Sequence, residues 1–118
     1  MASYPYARVA HLLDIDRDTL PAYMQRPSWQ RTDRTKTPTT LTGSPSSISS
    51  YELTVAYRDR AADAWLIYDH DNSRTTNRHI RAVRAVLESQ GYRPTDETEI
   101  IRVGWDRSAV YRRYQKES

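Results

Sequence analysis

The stretch "NSRTTNRHIRAVRAVLESQGYRP", residues 72–94, constrains the fold more than any other part of the chain. Ser73, Thr75 and Thr76 offer N-caps, Gly91 a C-cap and Pro94 a stop signal, so the run predicts one well-bounded helix. On that helix Ile80, Val83, Val86 and Leu87 fall on one side and Arg74, Arg78, Arg81 and Arg84 on the other. An amphipathic helix needs a surface to cover, and its flanks supply strands. "YELTVAYR" alternates Tyr51, Leu53, Val55 and Tyr57 with Glu52, Thr54, Ala56 and Arg58, and the turn "DRAAD" leads into a second apolar run, "AWLIYD". "ETEIIRVGW" adds a third strand, with Ile101, Val103 and Trp105 facing one way, and the tail "DRSAVYRRYQKES" reads as a short helix. Residues 51–118 are therefore expected to form an α+β body, a β-β-α-β three-stranded antiparallel sheet with one packed helix.

Upstream, residues 31–50 are rich in Ser, Thr and Pro, with Leu41 and Ile48 as the only aliphatics. So little apolar mass offers small return for ordering a chain, and the segment reads as a linker or long surface loop. It separates residues 1–30 from the α+β body.

With 118 residues the chain suits one modest domain. The lack of cysteine excludes disulfides, thiolate metal sites and cysteine catalysis. Phenylalanine is absent while tyrosine numbers 9, so much of the aromatic mass carries hydroxyls that need partners or a wet edge. No Gly-rich phosphate loop, nucleophile elbow or paired-carboxylate pattern is present, and three glycines leave few sites for unusual catalytic loops. The expectation is a protein that is not an enzyme and needs no cofactor. No apolar run approaches the roughly 18 residues of a membrane span, and a soluble, cytoplasmic protein is expected. Lys and Arg number 18 against 15 acidic residues, a modest excess compatible with nucleic acid, though Arg-rich composition also follows from a GC-rich genome.

Residues 9–27, "VAHLLDIDRDTLPAYMQRP", carry the spacing of two clamped helices. Ala10 takes the small position, Leu13 and Ile15 flank the turn, and Leu20 and Tyr23 take the apolar positions of the second helix. Over residues 8–27 the chain resembles the helix-turn-helix of small phage repressor and excisionase-like DNA-binding proteins. That resemblance implies a second helix in the major groove, with Arg17, Asp18 and Thr19 at base or phosphate edges and Gln25 and Arg26 further along. Asp14 stands where such turns commonly have Gly, and Pro21 is accommodated only in a first turn, leaving a helix from about Thr19 to Gln25. Arg78, Arg81 and Arg84 would add phosphate contacts, with Arg102, Arg107, Arg112, Arg113 and Lys116 as a second basic cluster. A homodimer would offset so short a reading helix.

"SRTTNRHIRAVR" is also similar to the Ser-x-Thr-Thr-x-x-His stretch of small phage proteins from GC-rich hosts, which points to a phage or mobile element and implies no activity. Asp69, His70, Asp71 and His79 could together hold a divalent metal, although turns are ordinarily rich in such residues. The leading expectation is a phage- or mobile-element-type DNA-binding regulator. The alternative is a protein-interaction module aimed at a host or viral protein, anchored by Tyr4, Tyr6, Trp29 and Trp105.

Overall fold

The computed structural model describes residues 6–25 and 41–117. The chain is α+β; the described residues hold three helices, α1 (Tyr6–Leu12), α2 (Ala22–Gln25) and α3 (Arg74–Ser89). Six strands form one sheet: β1 (Leu41–Ser44), β2 (Ser47–Ser50), β3 (Leu53–Asp59), β4 (Ala64–Tyr68), β5 (Tyr92–Arg102) and β6 (Ser108–Lys116). The order is β1-β2-β3-β4-β6-β5, and every neighbouring pair is antiparallel. Among the described residues no helix is long and apolar enough to cross a membrane.

α3 forms as its capping residues require. Ser73 accepts from the Thr76 N–H, and Gly91 takes φ 95° one residue past the C-cap, a conformation that glycine adopts without strain. Ile80, Val83, Val86 and Leu87 are buried, joined by Thr76, His79 and Ala82. The buried arc is wide because α3 meets both the sheet and α1.

The expected three-stranded sheet is corrected to six strands, for two reasons. First, residues 41–50 of the expected linker form a hairpin. Its register pairs Leu41 with Ser50 and Gly43 with Ile48, which puts the segment's two aliphatics on the inner face, where both are buried. There α1 packs so closely that a Cβ on Gly43 would lie 2.9 Å from Leu12 Cδ2. Residues 31–40 lie outside the described residues. Second, the tail is strand β6 and not a helix. Ala109 and Tyr111 are buried at period two with the β-favouring Val110 between them, and Arg112 and Arg113, which obscure that alternation in sequence, are held by carboxylates on both faces of the sheet. Tyr51, read as the start of a strand, occupies the β2–β3 turn at φ 58°. A bulge opposite Ile48 then turns two consecutive residues, Val55 and Ala56, into the interior.

The helix-turn-helix reading is also corrected. α1 closes with Asp14 at φ 62° in the position glycine usually takes; the Asp14 N–H bonds His11 O and the Ile15 N–H bonds Ala10 O, a Schellman closure. The second helix does not form as one element. Asp16 caps a single 3-10 turn over Arg17–Thr19, and Leu20 is extended at ψ 153° because a residue before proline is pushed out of the helical region. Only the four residues of α2 follow Pro21. Val9, Ala10, Leu13, Leu20 and Met24 join the same core as the sheet and α3, so the apolar spacing of the segment serves packing. Met24→Ala is therefore expected to cost about 2–5 kcal/mol. Tyr23→Ala, removing an exposed ring in edge contact with Tyr6, is expected to cost about 0.5–1.5 kcal/mol. Urea unfolding of the two variants checks the contrast.

Candidate functional site

A cleft of about 670 Å³ opens at the N-terminal end of α3. Its floor holds Ser50 and Thr76, its sides Tyr68 and His70, and its rim Tyr51 and Arg107. A second depression of about 370 Å³ runs along α3 past Asn77, Arg81 and Arg84. His70 lines both, so the two depressions adjoin at its ring. Its ring is fixed by an edge contact with Tyr68 and by Nε2, which accepts the Val110 N–H at 3.0 Å.

Beneath the cleft, Ser50 Oγ lies 2.6 Å from His79 Nδ1 and 3.1 Å from Thr76 Oγ1. All three side chains are buried. This cluster ties the end of β2 to the first two turns of α3. Burial is the main cause holding the His79 pKa below its ordinary value of 6.5, with the Arg78 charge adding to it. The Ser-x-Thr-Thr-x-x-His stretch thus has a structural account: Ser73 caps the helix, while Thr76 and His79 bind Ser50.

One wall of the cleft is the β5–β6 loop, closed by Val103 N–H to Arg107 O at 2.9 Å. Arg102 reaches across that loop to the Trp105 carbonyl at 2.8 Å. In that loop Trp105 is 91 % exposed, and Tyr51, which lines the cleft, is 54 % exposed.

Of the expected DNA-reading residues, Arg17, Asp18 and Thr19 are exposed on one 3-10 turn and Gln25 is half-buried on α2. Arg17 donates to the Gln25 carbonyl, the Asp18 N–H is taken by Asp16, the Thr19 hydroxyl donates to Asp16 O, and the Gln25 amide donates to Leu20 O. Their hydrogen bonds hold their own turns together. Arg26, Tyr4 and Trp29 lie outside the described residues. On α3, Arg81 is exposed and Arg78 half-buried, while Arg84 contacts Asp69 at 3.4 Å.

Asp69 is also gripped by Arg112 through Nε at 3.2 Å and Nη2 at 3.1 Å. Arg113 sits among Asp59, Glu97 and Glu99 at 3.2–3.3 Å, and Lys116 lies over the Tyr92 ring. Of the second basic cluster, Arg102, Arg107 and Lys116 stand exposed and, among the described residues, pair with no carboxylate; Arg74 and Arg81 share that state. The Asp69, His70, Asp71 and His79 group does not converge: Asp69 serves two arginines, His70 serves Val110 and His79 serves Ser50. Among the described residues no three such side chains form a group that could hold a metal.

Sequence reasoning missed Ser50, because it lay in the presumed linker, and Tyr51, because it was placed in a strand. Comparison with known proteins finds no matching family, no matching curated protein and no matching solved structure.

The buried cluster makes stability pH-dependent. A histidine whose folded-state pKa lies below its unfolded value binds fewer protons folded than unfolded, so its stabilising contribution is lost as pH falls below about 6.5. Thermal denaturation is expected to show a lower Tm on acidification through that value, and His79→Gln should flatten this part of the profile. Ser50→Ala, which leaves buried hydroxyl and imidazole groups short of a partner, should cost about 1–3 kcal/mol.

Proposed function

We propose that this chain is a small, non-enzymatic nucleic-acid-binding protein that engages a single strand along the groove beside α3. The observation that carries the reading is the pair of depressions that share His70 as a wall. Arg107 and the exposed Tyr51 line one and Arg81 the other, beside the carboxylates of Glu52 and Asp71, with exposed Trp105 in the adjoining β5–β6 loop. Single strands are held by this combination, since cations follow the phosphates and any base offers a face for stacking. Duplex reading through residues 17–25 has less support, because a one-turn helix with a buried Met24 presents little to a major groove. The similarity of the Ser-x-Thr-Thr-x-x-His stretch to phage proteins is what supports a phage or mobile-element setting.

A protein partner is the second reading. It is favoured by the same Trp105, since exposed Trp, Tyr and Arg are typical interface anchors.

Fluorescence anisotropy with labelled single-stranded and duplex oligonucleotides across a salt series tests the proposal. Single strands should bind more tightly than duplex, with affinity falling as salt rises. Arg81→Ala and Arg107→Ala should each weaken binding and reduce the salt slope by about 1, Trp105→Ala should cost about 1–3 kcal/mol, and Arg17→Ala should leave affinity unchanged. A duplex preference lost in Arg17→Ala would overturn the groove reading, and absence of binding at low salt would overturn nucleic acid in favour of a protein partner.

A further inference from the structure

β5 is the last strand of the sheet, and among the described residues no strand pairs with its outer edge. The direction of its backbone groups follows from its neighbour. Val110 on β6 gives its N–H to His70 Nε2 at 3.0 Å, and its carbonyl accepts from the Asp69 N–H at 2.9 Å, both toward the β4 side. In an antiparallel ladder a residue turns both groups to one side, so Val110 faces away from β5 and its register partner Ile100 faces away from β6. The Val103 N–H to Arg107 O bond, which points inward, agrees with this alternation. Thr98, Ile100 and Arg102 therefore direct their N–H and C=O groups to the open edge. The ladder to β6 is regular over this stretch, Thr98–Arg102, and irregular before it, between Pro94 and Thr98.

We infer that β5 pairs antiparallel with β5 of a second copy of this chain, about a two-fold axis at Ile100. Because outward groups recur at every second residue, a symmetric pairing must centre on a residue, and charge selects among the centres. Centred on Thr98, each Glu97 meets Glu99 of the partner subunit. A Glu99 or Arg102 centre sets that residue against its own copy. A centre at Ile101 leaves only residues 100–102 of the strand in the pairing. The Ile100 centre uses the whole regular stretch, sets Thr98 opposite Arg102 of the partner subunit and Glu99 opposite Ile101 of the partner subunit, and places no like charges directly opposite, leaving the two Glu99 residues only diagonal to each other. It also covers Ile100, whose side chain is 75 % exposed, against its own copy. The acidic run Asp96, Glu97 and Glu99 then acts as a register device, penalising the alternative alignments.

Ultracentrifugation over a concentration series tests this, together with variants whose effects on folding and pairing differ. The chain should move toward twice the monomer mass as concentration rises. Ile100→Pro removes an N–H that β6 does not use, so it should keep the circular dichroism of the parent chain and stay monomeric. The chain has no cysteine, so Ile100→Cys introduces a lone thiol that oxidation should join across the axis readily, whereas Glu99→Cys should cross-link several-fold more slowly. A chain that stays monomeric at every concentration, or cross-linking of Glu99→Cys as fast as Ile100→Cys, would overturn the proposal. If Ile100→Pro does not fold, the cysteine pair alone decides.

Discussion

The fold depends on β6 occupying the gap between β4 and β5. β4, α3 and β5 form a crossover that leaves room for one strand between its two strands, and the chain fills that room with its last strand. Each side of β6 then bonds a full ladder, so most of the sheet's non-local pairing rests on one late element. Arg112 fastens this arrangement: it grips Asp69 at the end of β4, which also contacts Arg84 of α3, and donates to the Thr95 carbonyl on β5. Tyr111, fully buried, donates to Thr54 O at 2.6 Å on β3, beyond β4. Burial, reinforced by the negative tendency of the neighbouring Tyr57 and Tyr68 hydroxyls, pushes its pKa well above the ordinary tyrosine range, so it remains a donor. In a core without phenylalanine, such hydroxyls give the sheet directional bonds as well as bulk.

What was legible in the sequence was whatever a local pattern determines. Ser73 and Gly91 bound α3 because capping acts within a few residues, and the β3–β4 hairpin could be read because alternation and turn composition agree there. β1, β2 and β6 were hidden for a shared reason. β1 and β2 pair with near neighbours but are poor in aliphatics, and β6, which pairs with the distant β4, is crowded with arginine, so composition hides each strand. Ser50 is the clearest case: a serine in a Ser-rich run carries no local sign of burial, and only the folded chain brings it to His79, 29 residues away. Pro21 shows the converse. Its constraint was visible, but the spacing of Leu13, Leu20 and Tyr23 suggested clamped helices, when Leu13 and Leu20 are set by burial and Tyr23 lies exposed.

The basic character of the chain was similarly legible in amount and not in placement. Arg84, Arg112 and Arg113 are held by Asp59, Asp69, Glu97 and Glu99, so they hold strands together and add little to an outer field. Sequence spacing cannot separate these from Arg74, Arg81 and Arg107, because pairing is decided by which strands the sheet sets side by side. Of the arginines without a described carboxylate partner, Arg81 and Arg107 line the depressions beside His70, while Arg17 and Arg60 bond backbone carbonyls elsewhere.

The groove and the β5 edge meet at the β5–β6 loop. A two-fold axis through paired β5 strands runs perpendicular to the sheet, so both copies present the same face and both α3 helices lie on one side. Two grooves then open on one surface at a spacing fixed by the sheet. A flexible strand long enough to reach both would meet the second groove at high effective concentration, so modest contacts from Arg81, Arg107 and Trp105 in each copy combine into much tighter attachment. On the proposed reading a single groove with few cations would bind weakly at physiological salt, and the proposed β5 pairing would supply a second one without any further basic residue.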